Sequence, residues 1–188
     1  SEDKSNLKYK IYKVEHHLAH IASAYYLSDF KNRTAGLSYD GSGDAVSIML
    51  AECNNTEIKV LERVYLPKSL GHFYSAVCNY IGFEKFGEEY KVMGLSAYGE
   101  DKYSDYFNDL IGYDEKYCLR QKNIFNYNSI DYKKNQIIKF NKNIFLNKKV
   151  EKFSQESKDI AKSLQVTFEK IVMQIIDRLQ KKVPSNNL

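Results

Sequence analysis

The chain has 188 residues, 43% of them hydrophobic, which is enough for one domain with a real core and too much for wholesale disorder. Its 28 basic and 24 acidic residues leave a net charge of +4, too mild to indicate a nucleic-acid partner, and no DNA- or RNA-binding motif stands out. Cys53, Cys78 and Cys118 form no CxxC pair, no apolar run approaches the ~20 residues that span a bilayer, and SEDKSNLKYK lacks a signal peptide's apolar core. A reducing, cytoplasmic compartment is therefore expected, with no membrane partner.

The first element is a helix from about residue 12 to 27. Val14, Leu18, Ile21 and Tyr25 recur at i, i+4, i+7 and i+11 as one apolar stripe. On that wheel His16 and His20 lie at about 200° and about 240° from Val14, close to opposite the stripe. Their i, i+4 spacing puts two imidazoles on adjacent turns of one face, within reach of one metal ion. A solvated face is the alternative for an HxxxH motif alone. His17 lies between the faces, as a packing residue or a support for its neighbours. The motif lacks the glutamate of HExxH, so a zincin protease is not indicated.

Three short strands follow, Thr34 to Tyr39, Ala45 to Cys53 and Ile58 to Leu66, joined by the turns DGSGD and Asn54-Asn55. They predict an antiparallel meander. Asp40 falls at a strand end, with Gly41, Ser42 and Gly43 in a tight turn after it. That segment reads either as an ordinary Asp-Gly hairpin turn or as a carboxylate beside a glycine loop whose amides could approach phosphate.

Pro67 ends the meander, and Ser69 can cap a helix to about Phe83 with Phe73, Val77 and Ile81 on one face. A shorter helix covers Glu88 to Ala97 and stops at Gly99. Here lie the fourth histidine, His72, and small residues such as Gly94, which permit close approach of a ligand or simply tight packing. Lys91, between acidic neighbours, reads by default as a surface charge. Residues 101 to 150 show weak periodicity and much Asn, Lys and Tyr, and read as an irregular, solvated insertion with some strand around Tyr117 to Tyr127. Ile160, Leu164, Phe168, Ile171, Ile175 and Leu179 then mark a long amphipathic helix, ended by Pro184.

Four ordered segments, HHLAHIASAYY, YDGSGD, SLGHFYSAVCNYIGF and GEEYKVMGLSAYG, together resemble the NodU/CmcH family of O-carbamoyltransferases, which modify nodulation factors and antibiotics. The likeness covers residues 14 to 99, and the final helix more loosely. It implies an α+β or α/β fold that is part of an actin-like (ASKHA, Kae1-like) domain, an antiparallel three-stranded meander packed with helices. Residues 1–188 would form a partial domain: a metal-ligand helix (1–30), the meander (34–66), helices (69–99), an insertion (100–152) and a long helix (155–183).

By the same resemblance, His16, His20 and Asp40 hold a divalent metal, Fe2+ in preference to Zn2+. Gly41, Ser42 and Gly43 would bind nucleotide phosphate. His72, Lys91 and Gly94, from the helical segment after the meander, are the further candidates for substrate binding. ATP and carbamoyl phosphate would be substrates of the parent protein, with a carbamoyl-adenylate made in a YrdC-like part. The carbamoyl group would then pass to a hydroxyl of a small-molecule or glycan acceptor.

Expected partners are the rest of the actin-like domain, a YrdC-like domain and a second copy of the chain. The 188 residues alone are expected to be inactive, with an open edge at Thr34 to Asp40 and with Phe168 and Ile175 short of partners. Two alternatives are a threonylcarbamoyl-adenosine or hydrogenase-maturation relative, and a non-catalytic assembly module whose histidines only solvate a helix face. HFYSAVCNYIGF and KVMGLSAYG favour the carbamoyltransferase over the former.

Overall fold

The computed structural model describes residues 9–85, 87–126, 139–140 and 150–188. Helix α1 (His16–Leu27) leads into an antiparallel sheet of order β1-β2-β3, made by β1 (Thr34–Gly43), β2 (Val46–Asn54) and β3 (Glu57–Tyr65). Next come α2 (Leu70–Tyr80), α3 (Glu89–Leu95) with a 3-10 turn at Ser96–Tyr98, and α4 (Ser104–Leu110). A hairpin of β4 (Ile111–Asp114) and β5 (Cys118–Gln121), a short pair of β6 (Phe125–Asn126) and β7 (Lys139–Phe140), and the long α5 (Gln155–Lys182) complete the fold. This is the expected mixed architecture of a three-stranded antiparallel meander packed with helices.

Layering follows from the central strand. β2 is buried almost throughout, and a strand sends alternate side chains to opposite faces. Ile48 and Leu50 enter the main core with Phe73 and Val77 of α2 and Leu164 and Ile171 of α5. Met49, Ala51 and Cys53 enter a second, smaller core with Ile21 and Tyr25 of α1. The sheet thus separates two cores, and α1 stands alone on its side among the described residues. All three cysteines are free and buried. No described helix is long and apolar enough to cross a membrane.

Several expectations need correction. α1 begins at His16, so Val14 precedes it and is 61% exposed. His17 replaces Val14 on the buried stripe, with Ile21 and Tyr25. Gly41 to Gly43 are not the turn. β1 continues to Gly43 through an irregular stretch after Tyr39, and Asp44 and Ala45, with φ of 50° and 63°, form the two-residue hairpin turn. The segment after residue 100 is not simply solvated, because Phe107, Leu110, Ile111, Leu119, Ile124 and Phe125 belong to the main core. It contains the unforeseen helix α4, while residues 127–138 and 141–149 of the expected insertion lie outside the described residues. Ile175 is 2% exposed rather than short of partners. Phe168 packs edge-on against Tyr39 and Tyr74.

Candidate metal centre

α1 lies along one face of β1 so that their side chains meet in register. Residues i, i+2 and i+4 of a strand share a face. A Cβ on Gly36 would meet Ile21, the Ser38 hydroxyl meets His17, and the Asp40 carboxylate meets His16. His17 is the clamp of this stack and is fully buried. Its Nε2 donates to the Val46 carbonyl at 2.9 Å, which fixes the tautomer, so Nδ1 accepts from Ser38 Oγ at 2.8 Å. Burial pushes the His17 pKa below its ordinary value, against the opposing pull of the Val46 carbonyl.

With His17 facing inward, His16 and His20 fall on the flank of the helix above the end of β1. Their side chains are 39% and 56% exposed, and that of Asp40 is 49% exposed. His20 Nε2 lies 3.0 Å from His16 Nε2, His16 Nε2 lies 3.2 Å from Asp40 Oδ2, and His20 Nε2 lies 4.0 Å from the same oxygen. Three lone-pair-bearing atoms therefore converge, which is unfavourable unless a proton or a cation lies among them. A circle through atoms separated by 3.0, 3.2 and 4.0 Å has a radius of about 2.0 Å, matching the ~2.0–2.2 Å that Zn2+ keeps from imidazole nitrogen and carboxylate oxygen. The separations are those of atoms that could share one divalent ion, and a set of two histidines with one carboxylate suits Fe2+ as well as Zn2+.

Asp40 is prepared as an anion. Burial alone would raise its pKa, but the Gly41 amide, donating to Oδ1 at 2.6 Å, and the His16 imidazole together hold it below the ordinary carboxylate value. The Gly41 carbonyl accepts from Ser69 Oγ at 2.6 Å, and Ser69 in turn caps α2 by accepting from the His72 N–H. The start of α2 is thereby fastened to the strand that carries Asp40. Gly71 allows this approach, since a Cβ there would lie 2.7 to 2.9 Å from backbone atoms of Asp40 and Gly41.

The other residues singled out from sequence divide into two groups. Gly41, Ser42 and Gly43 occupy the irregular end of β1 beside the cluster. His72 lies against Gly41, where a Cβ would be 3.0 Å from its Cδ2, and burial pushes its pKa down to about 4 despite the charge of Asp40. Lys91 and Gly94 stand on α3 and have other surroundings. Lys91 Nζ donates to Glu88 at 2.8 Å, and a Cβ on Gly94 would meet open space. Tight packing of a small residue occurs instead at Gly99, where a Cβ would lie 2.0 Å from the Lys158 carbonyl oxygen. Sequence reasoning missed Asp44, whose Oδ2 accepts the His16 N–H at 2.8 Å, and the Arg63–Glu15 pair that fastens the start of α1 to β3. Nothing local signals contacts between residues 28 and 48 positions apart.

Comparisons with known proteins place the chain in a family. The family described as the carbamoyltransferase N-terminus matches residues 2–188. The nodulation protein NolNO of Sinorhizobium fredii is 33% identical over 87% of this chain and 22% of its own length. The nodulation protein NolO of Bradyrhizobium diazoefficiens is 32% identical over 85% of this chain and 27% of its own. An uncharacterized Synechocystis protein is 30% identical over 93% of this chain and 28% of its own. The chain thus spans less than a third of the length of each of these relatives. The four motifs and a match along nearly the whole sequence lead to one conclusion: the chain belongs to the carbamoyltransferase N-terminus family, of the NodU/CmcH type.

Proposed function

We propose that this chain supplies the metal-binding part of an actin-like domain in an O-carbamoyltransferase that uses ATP and carbamoyl phosphate to carbamoylate a hydroxyl of a small-molecule or glycan acceptor. The observation that carries the reading is the convergence of His16 Nε2, His20 Nε2 and Asp40 Oδ2 at ion-binding separations. Fe2+ is the preferred ion and Zn2+ the second choice. When bound, such an ion supplies Lewis-acid polarisation of a phosphoryl or carbonyl oxygen.

The chain's own residues then have distinct tasks. His17 holds α1 at fixed height over β1, so the two outer imidazoles keep their separation from Asp40. The Gly41 amide keeps Asp40 ionised and turns its second oxygen toward the histidines. Gly41, Ser42 and Gly43 remain the phosphate contacts that the family resemblance implies, but the Gly41 amide is given to Asp40 and the space beside Gly43 is filled by the His16 ring. His72, neutral through burial, is a hydrogen-bonding group rather than a charge beside that backbone. Lys91 and Gly94 have the weaker case for substrate binding, because Lys91 is engaged with Glu88.

Anaerobic calorimetry with Fe2+, and with Zn2+ in parallel, tests the site. Saturable binding to one site, lost in His16→Ala, His20→Ala and Asp40→Ala, is the expected result. Absence of binding, or binding untouched by all three substitutions, would instead favour an assembly module with solvated histidines. The reaction itself is tested on the full-length parent with labelled carbamoyl phosphate, ATP and candidate acceptors, where His16→Ala should abolish labelling of the acceptor.

A further inference from the structure

The first turn of α1 is capped from outside. Glu15, at the N-cap position, makes no side-chain cap hydrogen bond. Its carboxylate is taken by Arg63, which donates from Nε and Nη2 at 2.8 Å each. The His16 N–H donates instead to Asp44 Oδ2 at 2.8 Å. A carboxylate here satisfies an amide that has no partner within the helix and complements the positive end of the helix dipole. Asp44 occupies the first left-handed position of the β1–β2 turn. The turn that ends one metal-bearing element is thus tied to the turn that begins the other.

Gly43 completes the arrangement. A Cβ at this position would lie 2.1 Å from both Cγ and Cδ2 of His16, inside the ring's own volume. Gly43 is not among the residues with positive φ, so its backbone conformation does not call for glycine. The position of the His16 ring does.

We propose that Asp44 and Gly43 are positioning residues for His16. The Asp44 carboxylate sets where the helix starts, and the missing side chain of Gly43 admits the ring, so that Nε2 reaches His20 and Asp40. The inference rests on reading His16, His20 and Asp40 as a metal site. His20 sits a turn further along α1 and does not depend on either residue, so their loss removes one ligand of three rather than the whole set.

Co2+ titrations followed by visible absorption and calorimetry test this, with the NMR contact between the His16 and His20 rings in metal-free protein as a second readout. Gly43→Ala should lower Co2+ affinity about tenfold or more, shift the absorption toward that of His16→Ala, and abolish the ring contact. Asp44→Ala should act in the same direction but more weakly, while Asp44→Asn, which keeps an acceptor oxygen, should restore wild-type behaviour. A merely structural role would lower Tm and leave spectrum and ring contact unmoved. Wild-type affinity, spectrum and ring contact in Gly43→Ala would overturn the proposal. Should Gly43→Ala fail to fold, the Asp44 pair decides on the same readouts. If wild-type protein binds no Co2+, the metal reading fails while the ring contact still judges this one. Its loss in Gly43→Ala would support the positioning role, and its persistence would end it.

Discussion

His17 is the residue on which the geometry of the site depends most, although it offers no ligand atom. Both ring nitrogens are used, one on each of two neighbouring strands, and no water can replace them at zero exposure. His17→Ala would leave the Val46 carbonyl without this donor, release Ser38, and open a cavity between α1 and the sheet. We expect a loss of about 2–3 kcal/mol in urea denaturation, together with weakened metal binding because α1 no longer keeps its height. A loss below about 0.5 kcal/mol, in the range of ordinary surface substitutions, would mean that the clamp contributes little. Gly71 makes the complementary point. Its neighbours at under 3 Å are backbone atoms, which cannot swing aside as a flexible side chain would.

At the scale of elements, α5 is held to the rest by two ionic clusters. Arg178 Nε donates to Glu62 of β3 at 2.9 Å, with Lys182 on the other carboxylate oxygen at 2.7 Å. Asp159 accepts from the Glu100 amide, Lys102 Nζ and Gln155 Nε2. Burial works against ionisation of Asp159, but Lys102, the Glu100 amide and Gln155 outweigh it and depress its pKa from 3.8. Above that value both folded and unfolded chains are ionised and the contribution is complete. As pH falls below it, the unfolded chain takes up a proton that the folded one resists, so stability declines until the folded pKa is passed. Glu62 acts in the same direction from its ordinary 4.5, its burial being outweighed by Arg178 and Lys182. Urea midpoints should therefore drop below about pH 4. Asp159→Asn should be less stable than wild type at pH 7 and show a shallower decline in acid. An equal decline in both proteins would show that Asp159 takes no part.

The elements also show what sequence can and cannot convey. α5 was legible because its apolar positions repeat through 28 residues, more than enough for a period to emerge. α4 has 7 residues with Phe107 and Leu110 as its buried pair, too few for any period. The helix expected from about residue 12 begins at His16. Val14 and His17 both extend the stripe through Ile21 and Tyr25, and the His16 N–H at the observed start is met by Asp44 on a distant turn. The hairpin was displaced because Asp-Gly is a strong turn signal. It occurs at Asp40-Gly41, yet the chain spends its left-handed residues at Asp44 and Ala45. His16, His20 and Asp40 meet despite the later helix start and the longer strand, because the i, i+4 spacing on α1 and the face that Asp40 shares with Ser38 do not change with a shift of a few residues at either boundary.

For the molecule as a whole, the open side of β1 is the feature with the widest reach. Among the described residues β1 pairs with β2 alone, and the Ala35 N–H donates to the carbonyl of Asn187. A cavity of about 370 Å³ follows the strand from Thr34 to Asp40, with Leu188 in its wall. Ala35, Gly36, Leu37, Ser38 and Tyr39 carry no charge to discourage a second strand. We expect the chain to self-associate through this edge, with α5 a less favoured surface because Ile175 is already covered. Light scattering over a concentration series should show a rise toward the dimer mass. A constant monomer mass would show that the edge is protected.

The division of the interior by the sheet has a further consequence, for how the molecule breathes. α1 is backed by the small cluster of Ile21, Tyr25, Met49, Ala51 and Cys53, whereas α2 and α5 share the large one. Local opening costs least where few apolar contacts are broken. Amides of α1 should accordingly exchange with deuterium through a partial opening in which α1 lifts away while α5 remains protected. That opening would carry His16 and His20 off Asp40. An ion shared by the three would therefore act as a latch, slowing exchange throughout α1 in proportion to its concentration and leaving the α5 amides unchanged. Equal slowing in both helices would indicate instead that the two cores open as one.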